Sequence, residues 1–156
     1  MSITNKTILL ATVPHTGTRF FLNIIEGLMS VKHHIMRQDT ERRPLREHVL
    51  ATCHLGPKNW NLICEYIDLF DPVLITLDRD HKRVVTSYEK RGKNDGRLAE
   101  SYFTSDAFRL KYDPLILSVD SEDRAERLSL LSGLLGKPID TDWLPVGSYD
   151  DKMSLK

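Results

Sequence analysis

The sequence predicts an α/β protein: a single three-layer α/β/α domain around a mainly parallel sheet. Three observations predict it. Short apolar, β-branched runs alternate along the chain with segments of helical periodicity, the pattern of strands joined by crossover helices. The strand runs over 8–13 and 73–77 are apolar at nearly every position rather than at every second one, so both faces of the sheet are covered. At 156 residues the chain suits one domain with its own core. The expected domain spans 1–156, with its core over about 7–136 and an irregular tail over 137–156.

The elements follow in order. Residues 7–13 read as a buried strand. Residues 18–30 read as a helix, from the spacing of Phe20, Phe21, Ile24, Ile25 and Leu28. A short second strand is expected within 31–36, then a charged, solvated loop over 37–47. Residues 49–53 form another apolar run that ends at His54, Leu55, Gly56 and Pro57. Trp60, Ile63, Cys64, Ile67 and Phe70 recur at helical spacing, so 58–70 is an amphipathic helix stopped by Pro72. Residues 72–77 are a buried strand, 81–91 a helix, and 92–96 a glycine-rich turn. Residues 98–112 are helical and 114–119 a further strand. The last predicted element is a helix over 121–136. Ser121 is its N-cap, Glu122 and Asp123 sit at its positive end, and Gly136 closes it.

Composition removes several function classes. The 22 basic and 22 acidic side chains cancel, so net charge suggests neither nucleic acid nor a membrane surface as partner. No apolar run approaches the ~20 residues needed to cross a bilayer, and no secretory pattern opens the chain. The two cysteines, Cys53 and Cys64, do not make a disulfide framework. A cytoplasmic, reducing setting is expected. No metal-ligand motif is read from the sequence, and His33, His34, His48 and His81 are expected to be ordinary surface or loop residues.

Parallel sheets bind ligands outside the carboxyl ends of their strands. That rule selects three places here: the turn from Pro14 to Arg19, His54, and the pair Asp78 and Arg79. The first is a strand, a tight glycine turn and a helix, which aims backbone N–H groups at an anion. It is not a Walker A loop, because Gly17 is followed by Thr18 and Arg19, with no lysine and no earlier glycine. The dinucleotide fingerprint is also absent.

Pro14-His15-Thr16-Gly17-Thr18-Arg19-Phe20 resembles the phosphosulfate loop of the sulfotransferase family, a strand ending in Pro-Lys-Ser-Gly-Thr-Thr-Trp. Its Gly-Thr-Arg variant is similar to the heparan-type branch. A second resemblance follows the strand over 73–77: Arg79, then Ser87 eight residues on, matches the family's site for the donor's 3′-phosphate. A guanidinium fork suits phosphate. A third is Thr52-Cys53-His54-Leu55-Gly56-Pro57, which resembles the family's Lys-Thr-His-Leu-Pro segment and makes His54 the candidate base. A weaker fourth match joins residues 116–120 to the helix ending at Leu134, Leu135 and Gly136. Together they span about residues 7–136.

The resemblance implies a P-loop-like fold and a sulfotransferase. The donor would be 3′-phosphoadenosine 5′-phosphosulfate (PAPS), the product 3′-phosphoadenosine 5′-phosphate (PAP), and no metal would take part. It implies that backbone N–H groups around His15, Thr16, Gly17, Thr18, Arg19 and Phe20 hold the 5′-phosphosulfate, with Phe20 near the adenine. Arg79 and Ser87 would hold the 3′-phosphate, and His54 would deprotonate a hydroxyl or amine acceptor. The chain departs from the family twice. His15 stands where the family has its catalytic lysine, so protonated His15, or Arg19, would have to stabilise the leaving oxygen. No C-terminal basic-glycine segment caps the 3′-phosphate. The acceptor side falls to residues 37–47 and 92–112, or to a second subunit of a homodimer. The alternatives are a non-catalytic nucleotide-binding module of the same fold and a diverged P-loop kinase using ATP.

Overall fold

The computed structural model describes residues 7–14, 16, 18–90, 96–118, 129, 132 and 133. His15, Gly17 and the tail over 137–156 lie outside the described residues. So does the predicted helix over 121–136, except for those last three positions, which are helical.

The chain runs β1 (Ile8–Thr12), α1 (Thr18–Met29), β2 (His34–Ile35), β3 (Leu50–His54), α2 (Trp60–Phe70), β4 (Val73–Asp78), α3 (His81–Lys90), α4 (Arg97–Tyr112) and β5 (Leu115–Ser118). Each element predicted on described residues forms, with its ends shifted by a few residues. The largest shift is at β2, which keeps two residues of the six expected. The strands make one parallel sheet in the order β2–β3–β1–β4–β5. This is the expected α/β class.

β1 is central, and all five of its residues are buried. Its side chains alternate between two apolar layers. Ile8 and Leu10 pack with Phe21, Ile24 and Ile25 of α1 on one face. Leu9 and Ala11 pack with Leu62, Ile63 and Tyr66 of α2 and Phe108 of α4 on the other. The topology requires this split. The connection from β1 leads one way across the sheet to β2, while those from β3 and β4 lead the other way. Right-handed crossovers in opposite directions put their helices on opposite faces.

Two helices end by the same device. α2 is followed by Asp71 in the left-handed conformation (φ 46°), whose N–H bonds the Ile67 carbonyl at 2.9 Å. α4 is followed by Asp113 (φ 50°), bonded to Arg109. Aspartate tolerates this conformation better than most residues. In both cases a proline comes next, and a strand begins.

If α4 belongs on the α2 face, Phe108, fully buried there, should be costly to truncate. Phe108→Ala is expected to lose about 3–5 kcal/mol in denaturant unfolding. Leu110→Ala, at a position 90% exposed on the same helix, is expected to stay within about 0.5 kcal/mol.

Candidate functional site

The register brings the three predicted places to one edge. Thr12, the last residue of β1, pairs with His54, the last residue of β3. Leu10 pairs with Ile75, so the end of β4 and Arg79 just beyond it reach the same level. Leu55 N–H donates to the Thr12 carbonyl at 2.8 Å, which ties the chain after His54 to the root of the N-terminal loop.

That loop is shaped by its own hydroxyls. Thr16 Oγ1 donates to the Val13 carbonyl at 2.6 Å, and Thr18 Oγ1 to Thr12 Oγ1 at 2.9 Å. Both hydroxyls are thereby tied to the end of β1. The start of α1 turns backbone N–H groups toward this edge, as at any helix N-terminus. Arg19 is exposed in that first turn. Phe20 is half-buried, packs against the α1-side core and stands edge-on to Phe21 at 5.3 Å.

His54 is exposed at the end of β3, and its carbonyl accepts a 2.9 Å hydrogen bond from Asn59 Nδ2 at the entry to α2. Cys53 beside it is not a nucleophile. It is buried, and loss of solvent, with the Glu41 charge nearby, pushes its thiol up to about 12.

Beyond β4, Arg79 is only 5% exposed. Asp80 caps α3, its Oδ1 accepting from the N–H groups of Lys82 (2.9 Å) and Arg83 (3.3 Å). Val84 and Tyr88 then turn inward and pack with Val13 at the loop root. Ser87 lies on the flank of that stripe. It lines a cleft of ≈ 200 Å³ with Lys82, Arg83, Thr86 and Lys90. Arg79 does not line this cleft; it is held at the strand end.

Helix α4 supplies groups that sequence reasoning missed. Ser101 Oγ donates to the carbonyl of Leu55. Arg109 Nη2 reaches the Leu77 carbonyl at 3.3 Å and Asp78 Oδ1 at 3.6 Å. The Tyr102 hydroxyl is buried with no hydrogen-bond partner among the described residues. Burial raises its pKa, with the charges of Asp78, Arg109, Arg79 and Asp80 close enough to act on it. Its ring meets His81 edge-on at 4.8 Å. A signal existed: Ser101, Thr104 and Ser105 are small polar residues at buried helical spacing, which marks a helix pressed against backbone rather than a solvated one.

One expectation needs correction. His34 and His48 are not ordinary surface residues. Their rings stack at 3.8 Å, and His34 pairs with Glu41 at 3.0 Å. The sequence hid this because the three residues come from a β-strand, a connection and the residue pair before the next strand. The 37–47 segment is also less solvated than expected: Leu45 is buried, and Arg43 pairs with Glu65 of α2 at 3.1 Å.

No protein-family model matches the chain, and no curated protein matches its sequence. Among solved structures, the chain is similar to the crystal structure of mouse sulfotransferase SULT7A1 complexed with PAP. The TM-score is 0.58 at 14% identity, over 90% of this chain and 62% of that one. The fold is sulfotransferase-like. Within that fold, the chain spans less than two thirds of its neighbour's length. No helix among the described residues is long and apolar enough to cross a membrane.

Beside His54, the buried Cys53 gives a direct check on the geometry. Its thiol stays protonated from pH 7 to 9, and the ionised fraction grows only as pH nears 12. Titration of the native protein with a thiol reagent at pH 8 is expected to show one fast thiol, Cys64. Cys53 should react only on unfolding; two fast thiols would contradict its burial.

Proposed function

We propose that this chain is a sulfotransferase that takes a sulfuryl group from PAPS and gives it to a hydroxyl or amine acceptor. The observation that carries the reading is the convergence at one sheet edge. An N-terminal loop and open helix start, an exposed His54 and a buried Arg79 all meet there. The PAP carried by the structural neighbour supports a nucleotide with phosphates at both ends.

The residues present suit such a ligand. The start of α1 offers N–H groups to the 5′-phosphosulfate. Arg79 would offer a planar donor set for the 3′-phosphate, and the basic cleft at Ser87 carries further positive charge on α3. The buried Tyr102 hydroxyl, in a field shared by Arg79 and Arg109, is a further donor. Phe20, half-buried in the first turn of α1, would stand near the adenine.

The donor supplies the sulfuryl group and leaves as PAP when the bond from sulfur to its bridging oxygen breaks. The chain does the rest. His54 accepts the proton of the acceptor as its oxygen or nitrogen attacks sulfur. Backbone N–H groups and Arg19 or His15 stabilise the negative charge that grows on the bridging oxygen. Positioning and fixed charge supply most of the barrier reduction, as in phosphoryl transfer. Residues 37–47 and 92–112, or a second subunit, would face the acceptor.

Transfer from ³⁵S-labelled PAPS to a broad panel of hydroxyl and amine acceptors tests this. His54→Ala is expected to reduce turnover by about 10²–10³-fold while PAP binding measured by calorimetry is retained. Undiminished turnover in that variant would remove His54 from the chemistry. PAP binding with no transfer to any acceptor would instead make the chain a nucleotide-binding module.

A further inference from the structure

On the β2 edge of the sheet, the charged segment folds back onto its own ends. His34 opens β2, Glu41 lies in the connection, and His48 stands two residues before β3. His34 Nε2 is 3.0 Å from Glu41 Oε1 and 3.3 Å from Oε2. The two imidazoles stack at 3.8 Å with their planes 13° apart. One ligand atom from each of the three residues lies within 4.8 Å of the others.

The geometry points to a site for one divalent transition cation, Zn²⁺ above all, held by His34, Glu41 and His48. Two imidazole nitrogens and one carboxylate are ligands that Zn²⁺ takes at about 2.0–2.2 Å. Ligand atoms on such a cation stand about 3–4 Å apart, and because a cation binds in the plane of each imidazole, closure turns one ring about its Cβ–Cγ bond out of the stack. The Glu41 side chain is only 10% exposed, and its ion-pair partner among the described residues is His34. A carboxylate this enclosed gains more from a cation than from one imidazole N–H.

The ligands are also held in place from behind. His48 N–H donates to the Tyr66 hydroxyl at 3.0 Å, and that hydroxyl donates to the His48 carbonyl at 3.3 Å. Tyr66 itself is fully buried on α2. His34 is fixed by its pairing with Ala51 of β3. A cation here would staple the 36–49 connection to the sheet edge. Three protein ligands leave at least one coordination position for water or another small ligand. The backbone partner of His34 is Ala51, three residues before His54 along β3.

The test uses the full, untagged chain freed of metal with a chelator and titrated with ZnCl₂ by calorimetry. One Zn²⁺ per chain is expected, with Glu41→Gln and His48→Ala each weakening it by more than about tenfold. Alanine at His33, which pairs with Glu26 at 3.0 Å, should leave it unchanged. Co²⁺ added to the unmodified chain should give visible d–d bands, and Zn²⁺ should abolish them, whatever the fate of the variants. No saturable 1:1 binding below about 100 µM (roughly 5.5 kcal/mol) would overturn the proposal. So would full affinity in Glu41→Gln, or Co²⁺ spectra no different from the hexaaqua ion.

Discussion

The parallel pairing of β1 with β3 on one side and β4 on the other governs everything else in this molecule. All five residues of β1 are buried, so the strand cannot slip by one position without turning Ile8 and Leu10 onto the face built for Leu9 and Ala11. That register sets Thr12 beside His54 and brings the end of β4 level with both. It also makes β1 the place where the crossovers change direction. Helices diverge to opposite faces there, and a crevice opens at the strand ends. The N-terminal loop, His54 and Arg79 reach one sheet edge because of β1, although 25 positions separate His54 from Arg79 and at least 60 separate the loop from Arg79.

Around that edge, polar groups shape backbone more than they wait for ligands. Thr16 and Thr18 close the loop from inside, Asp80 caps α3, and Ser101 bridges α4 to the chain after β3. Two more buried threonines do the same within the sheet: Thr52 donates to Leu10 and Thr76 to Ala11, each across to β1. Hydroxyls engaged this way make a rigid frame with little freedom to lose when a ligand arrives. His54 and Arg19 stand exposed at the same edge.

Much of this was legible from sequence because it rests on local signals. The apolar runs at 8–13 and 73–77 could only be buried strands, and the Asp71-Pro72 and Asp113-Pro114 pairs mark helix ends. Placement at strand ends singled out His54 and Arg79 before any coordinates. What escaped reading is what folding alone brings together. Nothing in the spacing of His34, Glu41 and His48 resembles a ligand motif, since their meeting depends on a connection folding back along an edge strand. Tyr102 and Arg109 sit on a helix whose small buried polar residues hint at close packing, but only the folded chain shows that it leans over the end of β4. Strand order, too, is invisible to periodicity; the placement of β1 between β3 and β4 comes from packing both faces at once.

The proposed donor site depends most on Arg79, a guanidinium buried to 5% exposure at the end of β4. The most direct measurement is calorimetric affinity for PAP and for adenosine 5′-phosphate, which differ only in the 3′-phosphate, in the unmodified chain and in Arg79→Gln. Charged hydrogen bonds to that phosphate are worth about 1.5–3 kcal/mol. PAP should therefore bind about 10–100-fold tighter than the 5′-phosphate alone, and Arg79→Gln should bring the ratio close to one. Equal affinities in the unmodified chain, or a preference for PAP that survives Arg79→Gln, would contradict a donor site built at this edge.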